Sequence, residues 1–241
     1  MRDYQQEFEG RVAYIRALLK SSGAAGIVFG NSGGKDSALV GILCKAACDN
    51  TLGVIMPCAS SQNYGRDADD GRALAEQYGI ESRTVDLTAV RAAEIAALEK
   101  STALNDSAVI NLAPRLRMLS LYAIAAAENR LVAGTGNRSE IYMGYFTKWG
   151  DGASDFNPIA DLTATEVFAF LEYLGAPRSI IDKAPSAGLF EGQTDEAEMG
   201  VSYRAIDDYL LTGAVSEADK AVIDRYHSRS GHKRLPISTY R

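Results

Sequence analysis

Short apolar runs alternate with longer amphipathic stretches through the first half of the chain. The intervening stretches carry apolar residues at helical spacing, and the predicted strands cover residues 26–30, 51–56, 82–87 and 130–134. Strands that alternate with helices favour right-handed crossovers and a parallel sheet covered on both faces. We therefore predict an α/β fold with an open, mostly parallel, doubly wound sheet and helices on both faces.

Helical periodicity dominates the two ends of the chain. One helix is predicted within residues 1–20, another from Thr163 with Gly175 as its stop, and two more over residues 201–211 and 216–228. The segment from Lys183 to Gly200 combines Pro, Gly and Ser with several acids and no apolar period, so we expect a mobile loop there. Because no repeat or linker divides the chain, we expect one domain over residues 1–241.

Composition and charge narrow the class of protein. With 241 residues, of which 46% are hydrophobic and 23% charged, the chain can bury one substantial core. A net charge of -6 argues against a nonspecific nucleic-acid surface. No apolar run approaches a membrane span, and three cysteines with two histidines suit neither a disulfide framework nor a zinc centre. A cytoplasmic protein is expected.

A glycine-rich turn separates the first predicted strand from the next helix. Residues 32–37 read Ser-Gly-Gly-Lys-Asp-Ser, and such a turn lets backbone amides approach phosphate at a helix N-terminus. A Walker loop is excluded because Phe29 and Asp36 occupy its first glycine and hydroxyl positions. The dinucleotide fingerprint is excluded because Ser32 and Ser139 stand where it needs glycine. The alternative use of Asp36 is to cap the helix.

The Ser-Gly-Gly-x-Asp-Ser pattern resembles the pyrophosphate loop of the N-type ATP pyrophosphatases, which split ATP into AMP and pyrophosphate. This resemblance implies an adenine nucleotide alpha hydrolase-like version of the doubly wound fold. GMP synthetase, asparagine synthetase and several tRNA-modifying enzymes share the loop, so the loop by itself does not name a substrate.

Later segments resemble successive signature blocks of the ammonia-dependent NAD synthetases. The blocks are residues 134–140, 144–152, 155–158 and 185–189, and the terminal His232-Lys233-Arg234. With the pyrophosphate loop they cover most of the chain from Ile27 onward. The resemblance implies that deamido-NAD attacks the α-phosphate of ATP, and that ammonia then displaces AMP from the adenylate to give NAD.

The resemblance also assigns residues to ligands. The magnesium ligands would be Asp36 and Glu140, because Mg²⁺ is usually held by one or two carboxylates together with phosphate oxygens. The deamido-NAD contacts would be Arg115, Lys148, Asp155, His232 and Lys233. The ATP contacts would be Gly30, Asn31, Ser32, Gly33, Gly34, Lys35, Asp36, Ser37, Thr135 and Ser186.

Ordinary structural uses compete with several of these roles. Asn137 and Glu140 have the spacing of a helix capping box. Turn chemistry would account for Thr135 and an ordinary loop for Ser186. The charged residues assigned to deamido-NAD would otherwise be solvated at the surface.

The amidation step needs a proton acceptor, because ammonium predominates near neutral pH and only ammonia is nucleophilic. The candidate catalytic carboxylates are Asp151 and Asp155, with Asp151 as the expected acceptor. Solvation of a glycine-rich loop is the alternative explanation for Asp151.

One position departs from the family pattern. Many family members carry a lysine that contacts ATP at the position of Ala164. We hypothesise that Lys35 supplies a compensating charge near the pyrophosphate.

The nitrogen source and the assembly are also implied by the resemblance. Only a single helix fits before Ile27, so we expect no glutaminase domain with a cysteine nucleophile there. Free ammonia is then the expected substrate, unless a separate glutaminase supplies it. The family implies a homodimer with the dinucleotide site at the interface. Residues 114–128 and 145–146 are the candidate interface segments, and packing within one chain is the alternative.

Two other functions stay open at this point. One is another N-type ATP pyrophosphatase, such as a tRNA thiolase or a sulfur-inserting adenylating enzyme, which would need an RNA-binding extension or sulfur-handling cysteines. The other is a nucleotide-binding sensor without turnover, to which only Ala164 points.

Overall fold

Four parallel strands form the sheet of this protein. The computed structural model describes residues 2–58, 65–183 and 195–240. The strands are β1 (Gly26–Gly30), β2 (Thr51–Ile55), β3 (Glu81–Thr84) and β4 (Arg130–Ala133), and in the described part of the chain their order is β3-β2-β1-β4. Every pairing between neighbouring strands in this sheet is parallel.

Helices connect the strands and make up the second half of the chain. Those before β4 are α1 (Tyr4–Ser22), α2 (Lys35–Ala47), α3 (Arg66–Tyr78), α4 (Thr88–Leu98), α5 (Asp106–Ile110) and α6 (Leu112–Glu128). Those after β4 are α7 (Arg138–Met143), α8 (Ala164–Leu174), α9 (Arg178–Ile181), α10 (Asp195–Met199), α11 (Tyr203–Thr212), α12 (Glu217–Arg229) and α13 (Gly231–Arg234). Within these ranges, no helix combines the length and apolar character needed to cross a membrane.

Alternating side chains of the strands build a core on each face of the sheet. On one face Ile27 and Phe29 of β1 pack with apolar residues of α1, α2, α8 and α9. On the other face Val28 packs with Leu121 and Ala125 of α6. The predicted parallel α/β sheet with helices on both faces is therefore confirmed.

A third apolar cluster joins the helices that follow the sheet. Its buried members include Met143 of α7, Met199 of α10 and Ile206 of α11. The loop expected from Lys183 to Gly200 is therefore wrong for residues 195–199, which form α10. The sequence of this helix lacks the apolar periodicity that predicts helices. It is buried because Met199 packs into a cluster of residues that are distant in sequence. Residues 184–194 lie outside the described residues.

The sheet order determines where the two glycine-rich turns lie. Because β1 and β4 are parallel neighbours, their carboxyl ends share one edge of the sheet. Residues 31–37 follow β1 and residues 134–140 follow β4. In open α/β sheets ligands bind at this edge, so the fold brings both predicted phosphate and metal segments to one place.

Candidate active site

The pyrophosphate loop has the geometry of an anion site. Gly33 adopts φ +70°, and a Cβ there would lie 2.2 Å from the carbonyl oxygen of Asp67, so this turn requires glycine. Gly34 caps α2 without a side-chain hydrogen bond. The first N–H groups of an α-helix lack intrahelical acceptors, so this end of α2 suits a phosphate. The Oγ atoms of Ser32 and Ser37 lie 3.0 Å apart beside the turn.

Two carboxylates meet beside this loop through Asn137. The Asn137 side-chain amide donates to Oδ1 of Asp36 at 3.0 Å, and the Asn137 backbone N–H donates to Oε2 of Glu140 at 3.0 Å. Removal from bulk water raises the pKa of Asp36 to about 6. The same cause, followed by the charge of Asp36, raises the pKa of Glu140 well above its ordinary value. Burial thus makes the ionised form of each carboxylate unfavourable, and a bound cation would offset that cost.

Helix capping was the alternative role for both Asp36 and Glu140, and the structure shows it only for Glu140. Gly34, not Asp36, is the cap of α2. Asn137 and Glu140 do form a capping box at the start of α7. A carboxylate has two oxygens and several lone pairs, so capping through Oε2 leaves Glu140 able to bind a cation as well.

A third carboxylate lies near this pair and was missed by the sequence analysis. Asp195 is buried and accepts a hydrogen bond from the hydroxyl of Tyr203 at 3.1 Å, and its charge contributes to the raised pKa of both Asp36 and Glu140. No signal in the sequence marked it, because it lies in the segment without periodicity. Among the described residues, no group of three or more His, Cys, Asp or Glu side chains is arranged to hold a metal.

One cavity of about 1090 Å³ joins the loop, the carboxylates and the segment around Asp151. This volume lies at the upper end of ordinary ligand sites and suits substrates as large as nucleotides. The predicted site residues that line it are Gly30, Asn31, Ser32, Gly34, Lys35, Asp36, Ser37, Thr135, Glu140, Asp151 and Lys233. Those that do not line it are Gly33, Arg115, Lys148, Asp155 and His232. Ser186 lies outside the described residues.

The predicted deamido-NAD cations lie together where α13 meets residues 144–148. Lys148 donates through Nζ to the carbonyl of His232 at 2.6 Å, and Arg115 donates to the carbonyl of Lys148 at 3.4 Å. Lys233 donates to the carbonyls of Gly144 at 2.7 Å and Phe146 at 2.5 Å, and burial lowers its pKa. The structure therefore brings these residues together, but in this arrangement Lys148 and Lys233 fasten α13 to residues 144–148, and Arg115 contacts Lys148 from α6.

The two candidate catalytic carboxylates differ in their surroundings. Asp151 is accessible to solvent at the surface of the cavity. The protein around its carboxylate nevertheless displaces bulk water, and this raises its pKa. Its Oδ1 accepts from the Thr147 N–H at 2.9 Å. Asp155 instead accepts from the Val132 N–H at 2.7 Å and from the Tyr122 hydroxyl at 3.3 Å, beside β4. This geometry favours Asp151 for catalysis and a structural use for Asp155.

Lys35, which we expect to compensate for Ala164, lies close to the helix that begins at Ala164. The Lys35 ammonium donates to the backbone carbonyl of Lys183 and lies 5.9 Å from the centre of the Phe168 ring. Phe168 is one helical turn from Ala164 on α8, and burial lowers the pKa of Lys35. The ammonium therefore lies near α8, and its contact with ATP stays a prediction.

The cavity also contains a cation that the sequence analysis did not single out. Arg117 on α6 donates through Nε to the carbonyl of Met56 at 3.1 Å and lines the cavity. Burial lowers its pKa, but it remains charged because the pKa of an arginine ordinarily lies far above neutral pH. The signal available in the sequence was its position two residues beyond a predicted ligand, Arg115.

A parallel sheet whose carboxyl edge carries a glycine-rich turn suited to an anion and two neighbouring carboxylates is typical of a nucleotide-binding α/β enzyme. The family model described as NAD synthase matches residues 7–235, and the chain therefore belongs to the NAD synthase family. This confirms the predicted family and the expected class of carbon–nitrogen ligase that uses ATP.

Individual relatives agree with this assignment over nearly their whole length. The NH(3)-dependent NAD(+) synthetase of Carboxydothermus hydrogenoformans is 45% identical over 238 residues, which are 97% of this chain and 97% of that protein. The structure of NMN synthetase from Francisella tularensis has a TM-score of 0.94 and 39% identity, covering 100% of this chain and 99% of that one. The NH3-dependent NAD synthetase from Campylobacter jejuni, in complex with the nitrate ion, has a TM-score of 0.82 and 29% identity, covering 100% of both chains. These relatives favour neither alternative function.

Proposed function

We propose that this protein catalyses the ATP-dependent amidation of deamido-NAD by ammonia, through a deamido-NAD adenylate, releasing NAD, AMP and pyrophosphate. The observation that carries the proposal is the joining of the pyrophosphate loop, the Asp36 and Glu140 pair, and Asp151 in one cavity. Family membership supplies the substrate class.

The loop is suited to the first step of this reaction. Backbone N–H groups at the start of α2 would bind the departing pyrophosphate, whose charge grows as the bond to the α-phosphate breaks. Asp36 and Glu140 would hold Mg²⁺, and their raised pKa values fit carboxylates whose charge a bound cation would compensate. Bound Mg²⁺ would neutralise phosphate charge. The number of protein carboxylates also fits Mg²⁺, which usually retains phosphate and water ligands.

Asp151 is proposed to accept the proton from the nitrogen nucleophile in the second step. Its carboxylate faces the cavity, and a raised pKa brings a carboxylate closer to the range in which it can accept and release a proton near neutral pH. The cations Lys233 and Arg117 act against this rise and help to keep Asp151 ionised.

Asp151→Asn is expected to lower kcat about 100-fold at saturating ammonium, because general base catalysis typically contributes 10²–10⁴-fold. The matched control is Asp155→Asn, whose carboxylate lies beside β4 and does not line the cavity. Turnover against ammonium concentration at several pH values would measure both variants. An Asp151→Asn enzyme with normal ammonia dependence would remove this assignment.

We also propose that the chain forms a single catalytic unit that uses free ammonia. The protein would work in the cytoplasm and as a homodimer. Support for the dimer comes from the family resemblance and from Leu119 on α6, which is 61% exposed although Leu116 and Tyr122 on the same helix pack against the core. An exposed leucine on an otherwise packed helix is suited to burial against a second copy.

A second candidate substrate is the mononucleotide that corresponds to deamido-NAD without its adenylate half. The observation that favours it is the TM-score of 0.94 with the NMN synthetase structure, against 0.82 with the Campylobacter jejuni NAD synthetase. The reacting nicotinate carboxylate is the same in both substrates, so the same loop and carboxylates would serve either one.

The decisive experiment supplies purified protein with ATP, Mg²⁺, ammonium and one acceptor at a time, and measures AMP and amidated product together. We expect NAD and AMP in equal amounts from deamido-NAD, with a higher kcat/KM than for nicotinate mononucleotide. A preference for the mononucleotide would select the second candidate. Turnover with glutamine in place of ammonium would contradict the proposed nitrogen source, and AMP without an amidated product would contradict the reaction itself.

A further inference from the structure

The pyrophosphate loop is supported by residues that lie outside its sequence motif. Lys183 places its Nζ atom 2.5 Å from Oδ1 of Asp67, 3.0 Å from Oδ2 of Asp70 and 3.3 Å from the carbonyl oxygen of Gly33. A second link joins the same elements, because the Asn31 side-chain amide donates to the carbonyl of Gly71 at 2.8 Å. The loop is therefore held against α3 at two points.

The ion pairs of Lys183 are well shielded from solvent. The exposed fractions of the side chains are 13% for Lys183, 11% for Asp67 and 6% for Asp70. Removing one member of a buried ion pair costs much more than losing an exposed one, because the remaining charge stays desolvated. Without Lys183, two carboxylates would lose this cation beside a loop that binds an anion.

Lys183 also acts on the shape of the turn. The described residues contain no cis peptide bond, and a trans peptide is planar, so its carbonyl and N–H point in opposite directions. Holding the Gly33 carbonyl therefore fixes the direction of the Gly34 N–H. Gly33 adopts φ +70°. Because glycine is free to adopt many backbone conformations, the residue itself does not hold the turn in this shape.

We propose that Lys183 is a positioning residue that presets the pyrophosphate loop, by holding the Gly33 carbonyl and by neutralising Asp67 and Asp70 beside it. The inference rests on the proposed function, because it assumes that this loop binds the pyrophosphate part of ATP. It adds a residue that lies in neither the loop motif nor the carboxylate pair.

The test compares Lys183→Met with the unchanged full-length enzyme. We expect the Kd for pyrophosphate in the presence of Mg²⁺, measured by calorimetry, and the KM for ATP to rise about tenfold, because the loss of a partner that orients binding groups typically costs about 10–100-fold. The KM for deamido-NAD should change little. An unchanged Kd for pyrophosphate, or an equal rise in both KM values, would overturn the proposal.

Arg130→Met is the matched control for lost stability. Arg130 is a cation with a 6% exposed side chain that pairs with Glu128 at 2.8 Å, at the opposite end of β4 from the cavity. This variant should lower the melting temperature and leave the pyrophosphate Kd unchanged. A weaker pyrophosphate affinity in this control, equal to that of Lys183→Met, would assign the effect to general destabilisation and overturn the proposal.

A double variant covers the case in which Lys183→Met does not fold. Combining Lys183→Met with Asp70→Asn removes one of the two acids together with the cation, while the hold on the Gly33 carbonyl is still lost. Weaker pyrophosphate binding in the folded double variant supports the proposal, and affinity equal to the unchanged enzyme overturns it. If the unchanged enzyme bound no pyrophosphate and formed no amidated product, the proposed function itself would fail, which is a distinguishable result.

Discussion

Replacing Gly33 with alanine is expected to lower kcat/KM for ATP at least about 100-fold, because a misplacement of about 1 Å in a positioned group can cost that much. The added Cβ would lie 2.2 Å from the carbonyl oxygen of Asp67 and 3.1 Å from Cβ of Asp70. The first contact is with backbone, so no side chain can swing aside to relieve it. The turn must therefore move away from α3, taking the anion-binding amides with it.

Backbone strain adds to this collision but is the smaller effect. Gly33 has φ +70°, and a left-handed conformation costs an alanine roughly 1–2 kcal/mol. Gly213→Ala separates the two contributions, because Gly213 has φ +76° at the end of α11 and a Cβ added there would meet nothing within 4 Å. The control should lose about 1 kcal/mol of stability and keep its normal kcat/KM.

Steady-state kinetics with ATP as the varied substrate, together with thermal unfolding, would measure both variants. The expected pattern is a loss of melting temperature in both variants, larger in Gly33→Ala because of the added collision, and a kinetic defect only in Gly33→Ala. Normal ATP kinetics in Gly33→Ala would contradict the assignment of this turn as the pyrophosphate loop.

Local sequence patterns were sufficient to predict the frame of the site. The run from Gly26 to Gly30, the glycine turn and the helix that follows are contiguous, so their order and type depend on neighbouring residues. The meeting of Asp36 with residues near Glu140 also followed, because parallel strands place their carboxyl ends together. The roles of these residues came from the family resemblance, which the alternation of strands and helices does not supply.

Contacts between distant segments could not be predicted from the same patterns. Lys183 reaches Asp67 across 116 residues of sequence, and each looks like an ordinary solvated charge in its own segment. Asp195 and Met199 lie in a stretch whose composition indicates a loop, and only the packing of α10 buries them. Lys148 and Lys233 were expected together, but the backbone carbonyls that accept from them depend on the exact path of residues 144–148 and the terminal helix.

The largest loss of activity is expected for Asp36→Asn, with a fall in kcat/KM of about 1,000-fold or more, since a magnesium site supplies several kcal/mol of charge stabilisation in the transition state. The amide keeps the size of the side chain, so the hydrogen-bonded contact with Asn137 can be adjusted without a cavity. What disappears is the negative charge proposed to hold Mg²⁺. Asp49→Asn is the matched control for net charge, because its carboxylate is fully exposed just beyond the end of α2.

The same substitution is expected to stabilise the protein when Mg²⁺ and ATP are absent. The folded pKa of Asp36 is about 6, above the ordinary 3.8, so between these values the folded state binds more protons than the unfolded state. The free energy of unfolding contributed by this group therefore decreases as the pH rises from 3.8 through about 6 and stays low above that. At pH 8 the free energy of unfolding of Asp36→Asn should exceed that of the unchanged protein by up to about 3 kcal/mol. The gain should vanish as the pH falls toward the ordinary pKa.

Chemical denaturation at about pH 8 and about pH 4.5, with and without Mg²⁺ and ATP, together with turnover, would test both halves of this prediction. In the unchanged protein the ligands should add more stability at the higher pH, because a cation binds the ionised carboxylates that proton binding would otherwise neutralise. In Asp36→Asn that added stability should be small at both pH values. A variant that is more stable without ligands yet inactive would identify Asp36 as a group held at an energetic cost until Mg²⁺ arrives, whereas retained turnover would remove it from the proposed metal site.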